Sequence, residues 1–141
     1  MFKLILLANV LASVLMTGII WFVQVVQYPG FNHITPSNFA DFHRFHVSKT
    51  GLVVIPPMII ELGSSIWLTV GFNQYWLLNA SGLGLVICIW ISTFAIQVPI
   101  HSALQEGAFE DAPKLVSTNW IRTTLWSIKS ALGAYLLFVI G

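Results

Sequence analysis

The sequence predicts an all-α integral membrane protein, an up-down four-helix bundle with a short amphipathic helix between its first and second spanning helices. Hydrophobic residues make up 57% of the chain and charged residues only 8%, whereas soluble domains carry ~25% charged residues. The mean hydropathy is +0.84. Crossing a bilayer takes about 20 apolar residues. Four stretches meet this length, over residues 2–27, 51–70, 75–100 and 115–140.

Short connections between these stretches predict a single domain over residues 1–141 in which neighbouring helices run antiparallel. Loops 28–50 and 105–114 then share one side of the membrane. Arg44, Lys49 and Lys114 lie on that side against Lys3 on the other, so both loops are predicted to face the cytoplasm. We therefore expect a multi-pass protein of a bacterial inner (plasma) membrane, and the sequence leaves open whether copies form a homo-oligomer.

Charge and cysteine content exclude several classes of function. A net charge of +1 without a basic run gives no support for nucleic-acid binding. The single cysteine, Cys88, excludes an intramolecular disulfide and a CxxC metal or redox motif. Because Cys88 lies in the middle of an apolar run, we expect it to pack in the core.

The first stretch carries polar residues at helical spacing. We expect it to be a retained helix rather than a signal peptide, because the apolar run continues to Val26 with no small-x-small cleavage site. Tyr28-Pro29-Gly30 is predicted to end it. The polar residues predict one inward face that either lines a polar chamber or packs by interhelical hydrogen bonds. They are Asn9, Ser13, Thr17, Gln24 and Gln27.

A histidine pair follows in the first loop. Thr35-Pro36 is a typical helix start, and FADFHRFHV indicates an amphipathic helix that runs to about Ser48. His43 and His46 are three residues apart and so share one face of it. The pair predicts either two ligands of one metal ion or two side chains with polar tips at the membrane surface.

The next two stretches each contain prolines and an isolated polar group. Pro56-Pro57 is expected to kink or break the second helix. Glu61 follows near mid-bilayer, where a carboxylate is costly and marks a candidate functional site. In the third stretch Gln97 and His101 share a face near the helix end. His101 alone is typical of an interfacial residue, and with the histidine pair it becomes a candidate ligand.

The fourth stretch places two cations on one inward face. Asn119, Arg122, Trp126, Lys129 and Gly133 recur at helical spacing. Counted from the loop side, the depth of Glu61 falls between the depths of the two cations, which predicts an ion pair with Arg122 or Lys129. One positive charge is left over and favours an anionic or electron-rich ligand. Alternatively, the ion pair only fixes the order of the helices.

The histidines and Glu61 are far apart along the chain. On one straight helix His46 and Glu61 would be about 22 Å apart, too far to share a metal ion. A shared site therefore needs a break at Gly51 or Pro56-Pro57. Without a break, we expect a histidine-only site of His43, His46 and His101 with a polar substrate chamber beneath it.

Three short motifs resemble the anthrone-oxygenase-like family of small four-helix membrane proteins. They are Tyr28-Pro29-Gly30-Phe31, the run from Val98 to Leu104 with Pro99, and Asn119-Trp120-Ile121-Arg122-Thr123. The resemblance implies an integral membrane protein, in some members an oxygenase that uses dioxygen on polycyclic phenols. His101 stands where the family more often has asparagine, and the His43/His46 pair lies outside the pattern. These differences favour a variant that uses a metal or haem.

The predicted function is that of a membrane oxidoreductase or oxygenase acting on an apolar phenolic or quinone-like molecule. The predicted binding partner is a small molecule that is apolar or anionic. Glu61 is the expected proton acceptor, and Arg122, with Lys129, stabilises an oxyanion beside Asn119. Alternatives are a haem protein with histidine axial ligands and a proton-coupled carrier using Glu61. The predicted cofactor is iron, copper or haem. Its metal ligands are His43, His46 and His101, and its further binding residues are Gln24, Gln97 and Lys129.

Overall fold

The computed structural model describes residues 1–140, and in this range the chain forms helices and no strand. Four long helices are apolar enough to cross a membrane: Phe2–His33, Pro36–Gly71, Asn73–Gln105 and Phe109–Ile140. The prediction of four long apolar helices is confirmed. Their α-helical parts are α1 (Phe2–Phe22), α2 (Tyr28–Gly30), α3 (Pro36–Gly71), α4 (Trp76–Ser92), α5 (Val98–Gln105) and α6 (Ala112–Ile140).

The four long helices pack side by side in a closed arrangement. Helix α1 packs against α3 and α6, and α4 packs against the same two helices. Such packing is consistent with a four-helix bundle. At one end Phe2 contacts Phe72 and Tyr75, with ring centroids 4.7 and 5.8 Å apart. Cys88, expected in the core, is instead exposed.

The separate amphipathic helix does not exist. Thr35 is extended and Pro36 begins a helix, as predicted, but this helix is α3 itself and continues without a break through Pro56 and Pro57 to Gly71. Helix α3 packs against both α1 and α4, and tertiary packing of this kind can offset the local cost of the two prolines. The break that a shared site of histidine and Glu61 would need is therefore missing.

The first long helix also continues past its predicted end. Val23–Gln27 forms a π-helical segment, and the Tyr28 amide donates to the Val23 carbonyl, five residues back. Pro29 follows directly. The third long helix repeats this device, with a π-helical segment over Thr93–Gln97 that is followed by Val98 and Pro99. A π-turn inserts one extra residue into the helix, which rotates the side chains of the following residues about the helix axis. Such turns are frequent at functional sites.

Candidate functional site

The π-helical segments precede Tyr28 and His101, which meet Arg122 inside the bundle. Arg122 Nη2 donates to the Tyr28 hydroxyl at 3.2 Å and to Asn119 Oδ1 at 2.6 Å, and its Nε donates to the same Oδ1 at 3.0 Å. Arg122 is buried, and among the described residues no carboxylate lies within ion-pair distance of it. The guanidinium is therefore a buried charge held only by neutral groups.

A chain of hydrogen bonds leads from Arg122 through Tyr28 to two histidines. The Tyr28 hydroxyl is 3.1 Å from His101 Nε2, and His101 Nδ1 is 2.9 Å from His43 Nε2. Because arginine can only donate, the Tyr28 oxygen accepts from Arg122. In the His101 tautomer that carries its hydrogen on Nδ1, the Tyr28 hydroxyl donates to His101 Nε2 and His101 donates from Nδ1 to His43 Nε2. We call Arg122, Tyr28, His101 and His43 the relay.

The far end of the relay is closed to solvent. His43 is fully buried, its ring stacks on Phe39 at 5.7 Å, and its Nδ1 has no hydrogen-bond partner among residues 1–140. The tautomer that donates at every step leaves the remaining hydrogen of His43 on this Nδ1. In this tautomer His43 Nε2 is the acceptor at the far end of the relay.

Asn119 and Gln24 hold the other side of the guanidinium. Asn119 Nδ2 donates to Gln24 Oε1 at 2.9 Å, and Gln24 Nε2 donates to the Val116 carbonyl at 3.0 Å. Each side-chain amide accepts with its oxygen and donates with its nitrogen. The series of hydrogen bonds from Arg122 through Asn119 to Gln24 therefore fixes the orientation of both amides. These residues position Arg122. Gln24 was predicted to bind a cofactor and Asn119 to be catalytic.

A cavity of about 150 Å³ opens beside the relay. Tyr28, His101 and Arg122 supply polar groups to its wall, and Trp126 is one of its largest apolar groups. His46 also lines it, and its Nδ1 is 3.2 Å from the Thr50 hydroxyl. The remaining lining is mostly aliphatic. The cavity therefore offers an apolar molecule a cation, a phenol and two imidazoles.

A second buried polar group surrounds Glu61. Ser13 donates to Glu61 Oε1 at 2.5 Å, and Trp126 Nε1 donates to Oε2 at 2.9 Å. Lys129 Nζ donates to Asn9 Oδ1 at 2.6 Å and to the Ser13 hydroxyl at 3.4 Å. We call Asn9, Ser13, Glu61 and Lys129 the glutamate cluster. Its cation and its anion balance each other.

The predicted direct ion pair of Glu61 with Arg122 or Lys129 is absent among the described residues. Lys129 reaches the carboxylate through Ser13, and Trp126 stands between the carboxylate and the cavity that Arg122 lines. Counting residues gives depth along a helix but not the direction of a side chain. Glu61 points towards α1, so it lies outside the relay and is not placed to accept a proton there.

The three predicted metal ligands come close together without forming a metal site. Ring centroids are 5.1 Å apart for His43 and His101, 6.0 Å for His46 and His101, and 6.5 Å for His43 and His46. Among residues 1–140 no group of three His, Cys, Asp or Glu side chains could hold a metal ion in this arrangement. The facing nitrogens of His43 and His101 are instead bonded to each other.

A haem between these two histidines does not fit this arrangement either. Two axial nitrogens on one iron would be about 4 Å apart, twice a metal–nitrogen bond of about 2 Å. His43 Nε2 and His101 Nδ1 are 2.9 Å apart. Iron, copper or haem therefore stays a prediction of the sequence.

Gln97, also predicted to bind a cofactor, faces away from the cavity lining. Its Nε2 donates to the Thr118 hydroxyl at 3.0 Å, and its buried Oε1 has no partner within the described range. Tyr28 belongs to this candidate site and was not predicted as a site residue from the sequence. From the sequence it is predicted only as part of a helix stop. A phenol directly before Pro29-Gly30, at the end of a membrane-length apolar stretch, is itself a signal of a candidate site.

Comparison of the chain with models of protein families, with curated proteins and with solved structures finds no match.

Proposed function

We propose that the protein is a multi-pass protein of a bacterial inner membrane, with its four long helices in up-down order. Many large apolar side chains point outward, while Glu61, Lys129 and Arg122 point inward. A continuous apolar surface of this kind is costly in water and favourable in lipid. The outward residues include Leu4, Leu11, Val25, Leu52, Val70, Leu77, Ile91 and Phe138.

The function we infer is binding and deprotonation of an apolar phenolic or quinone-like molecule, the chemistry of a membrane oxidoreductase or oxygenase. The observation that carries this inference is Arg122, a buried cation without a carboxylate partner in the part of the chain described, at the wall of a 150 Å³ cavity. A negatively charged oxygen in the cavity would supply the missing counter-charge. An oxyanion formed there is stabilised without reorganisation of the site.

The relay gives the proton of such a phenol a defined route. The ligand hydroxyl gives its proton to the Tyr28 oxygen as the Tyr28 proton moves to His101 Nε2. The Nδ1 proton of His101 then moves to His43 Nε2. The products are a phenolate, whose charge offsets that of Arg122, and a proton on His43 Nε2, so the net charge of relay and ligand together is unchanged. A phenolate is a better electron donor than a phenol, which is what oxidation of the ring requires.

The test is the affinity of a single-ring phenol for the protein in lipid nanodiscs. Arg122→Gln keeps a hydrogen-bonding side chain and removes the charge. We expect the affinity to fall about tenfold to a hundredfold, the worth of a hydrogen bond to a charged group. Arg44→Gln, the same change at an exposed site, is the matched control and should leave the affinity unchanged. Equal affinity in wild type and Arg122→Gln would refute the proposal.

A further inference from the structure

A second, larger cavity lies on the outer face of the molecule. It is a groove of about 660 Å³ between α1 and α3. Its outer part is lined by Val14, Leu15, Gly18, Phe22 and Val53, of which the four larger side chains are more than half exposed. In a bilayer such a groove faces the acyl chains of the lipid.

The groove and the inner cavity share a wall. The side chains of five residues line both spaces: Ile19, Val23, His46, Thr50 and Val54. The two spaces are therefore adjacent, and these side chains form a wall common to the lipid-facing groove and the inner cavity. Four of the five are aliphatic or β-branched, and rotation of small side chains is fast compared with ligand exchange.

The size of the inner cavity limits what fits beside Arg122. An engineered protein cavity of about 150 Å³ holds one benzene ring. The inner cavity has about this volume, which matches a single aromatic ring and is small for three fused rings. A single-ring phenol therefore fits it better than the polycyclic phenols that the family resemblance implies. The groove is larger, apolar and elongated along two helices, which suits a flexible aliphatic chain.

We infer that the substrate is a single-ring phenol or quinol with an aliphatic tail, and that it enters sideways from the bilayer between α1 and α3. The ring lies in the inner cavity with its hydroxyl towards Arg122 and Tyr28. The tail lies in the groove, over Gly18 and between Val14 and Val53. This inference rests on the proposed function, because it takes the ring oxygen to be held by Arg122.

Gly18 allows the groove to be filled without disturbing the fold. A Cβ at Gly18 would meet nothing within 4 Å, and the same holds at Gly84 on α4, which lines neither cavity. Both glycines are exposed in spanning helices. Gly18→Leu therefore places a side chain where the tail should lie, and Gly84→Leu is its matched control.

The experiment measures the binding of three probes to the protein in nanodiscs, and the concentration of each probe is given as its mole fraction in the lipid. The probes are a methyl-substituted quinol, the same quinol with a decyl tail, and a three-ring phenol. We expect Gly18→Leu to weaken the decyl quinol at least tenfold, about 1.4 kcal/mol, because the leucine side chain occupies the space that the tail needs. Gly84→Leu should change nothing, and the methyl quinol should bind both variants within about twofold of wild type.

The failures of the two proposals can be told apart. If Gly18→Leu leaves the decyl quinol unaffected while Arg122→Gln still weakens it, the site stands and the lateral tail route is wrong. Tight binding of the three-ring phenol would overturn the single-ring limit. If Arg122→Gln affects none of the probes, the proposed function itself fails. Unchanged binding of the methyl quinol shows that Gly18→Leu is folded.

Discussion

The relay and the glutamate cluster are two buried polar groups in one bundle, and they differ in charge balance and in space. In the glutamate cluster Glu61 and Lys129 offset each other through Ser13, and the cavity beside them measures only about 20 Å³. In the relay Arg122 has no such partner among the described residues and lines a cavity of about 150 Å³. A balanced, filled cluster is suited to hold helices together, and an unbalanced, open one is suited to bind a ligand.

The largest expected effect concerns stability. Glu61→Gln keeps the shape of the side chain but leaves Lys129 as an uncompensated buried cation. Removing one partner of a directly paired buried charge costs about 3 to 5 kcal/mol. Because Ser13 lies between Glu61 and Lys129, we expect the free energy of unfolding in detergent, measured by helical circular dichroism, to fall by about 3 kcal/mol, the lower end of this range.

The control for this effect is the double variant Glu61→Gln, Lys129→Met, which removes both charges and should recover most of the loss. Arg122→Gln should cost far less than Glu61→Gln, because it removes a charge that no carboxylate balances. If Glu61→Gln is as stable as wild type, the division between a structural and a functional cluster is wrong.

A smaller effect concerns the rate at which a bound phenol loses its proton. Tyr28→Phe keeps the ring and the cavity wall but removes the hydroxyl that joins Arg122 to His101. General acid–base groups contribute about 10²-fold or more to proton transfer. We expect the phenolate band in stopped-flow absorption to appear about 100-fold more slowly, with the affinity for the phenol within about threefold of wild type.

Tyr75→Phe is the matched control, since the Tyr75 hydroxyl contacts only Gln74 within the described range. It should leave the rate unchanged. An unchanged rate in Tyr28→Phe would mean that the proton leaves by another group in the cavity, for example His46.

Much of the fold was predictable because it depends on local composition. Four long apolar helices follow from hydropathy alone, and the start at Pro36 follows from the position of the proline. The ends were not predictable in the same way. Breakers at Pro29 and Pro56-Pro57 were overridden by tertiary packing and by a π-turn, which no local rule anticipates.

The candidate site was predicted as a set of residues and not as an arrangement. Helical spacing correctly put Arg122, Asn119 and Gln24 on inward faces. It also put two cations, Arg122 and Lys129, against one carboxylate, which leaves one positive charge unbalanced. It could not give the direction in which Glu61 points, so it left the choice between Arg122 and Lys129 open and did not place Ser13 between Glu61 and Lys129. The meeting of Tyr28, His43 and His101 depends on how three helices are turned relative to each other, which a single sequence does not specify.

The most direct test of the central claim is the ultraviolet absorption spectrum of a single-ring phenol bound at saturation to the protein at neutral pH. The relay and Arg122 together predict the band of the phenolate in wild type and the band of the neutral phenol in Arg122→Gln. A neutral-phenol spectrum in wild type would show that the uncompensated charge of Arg122 does not hold an oxyanion, and would contradict the account.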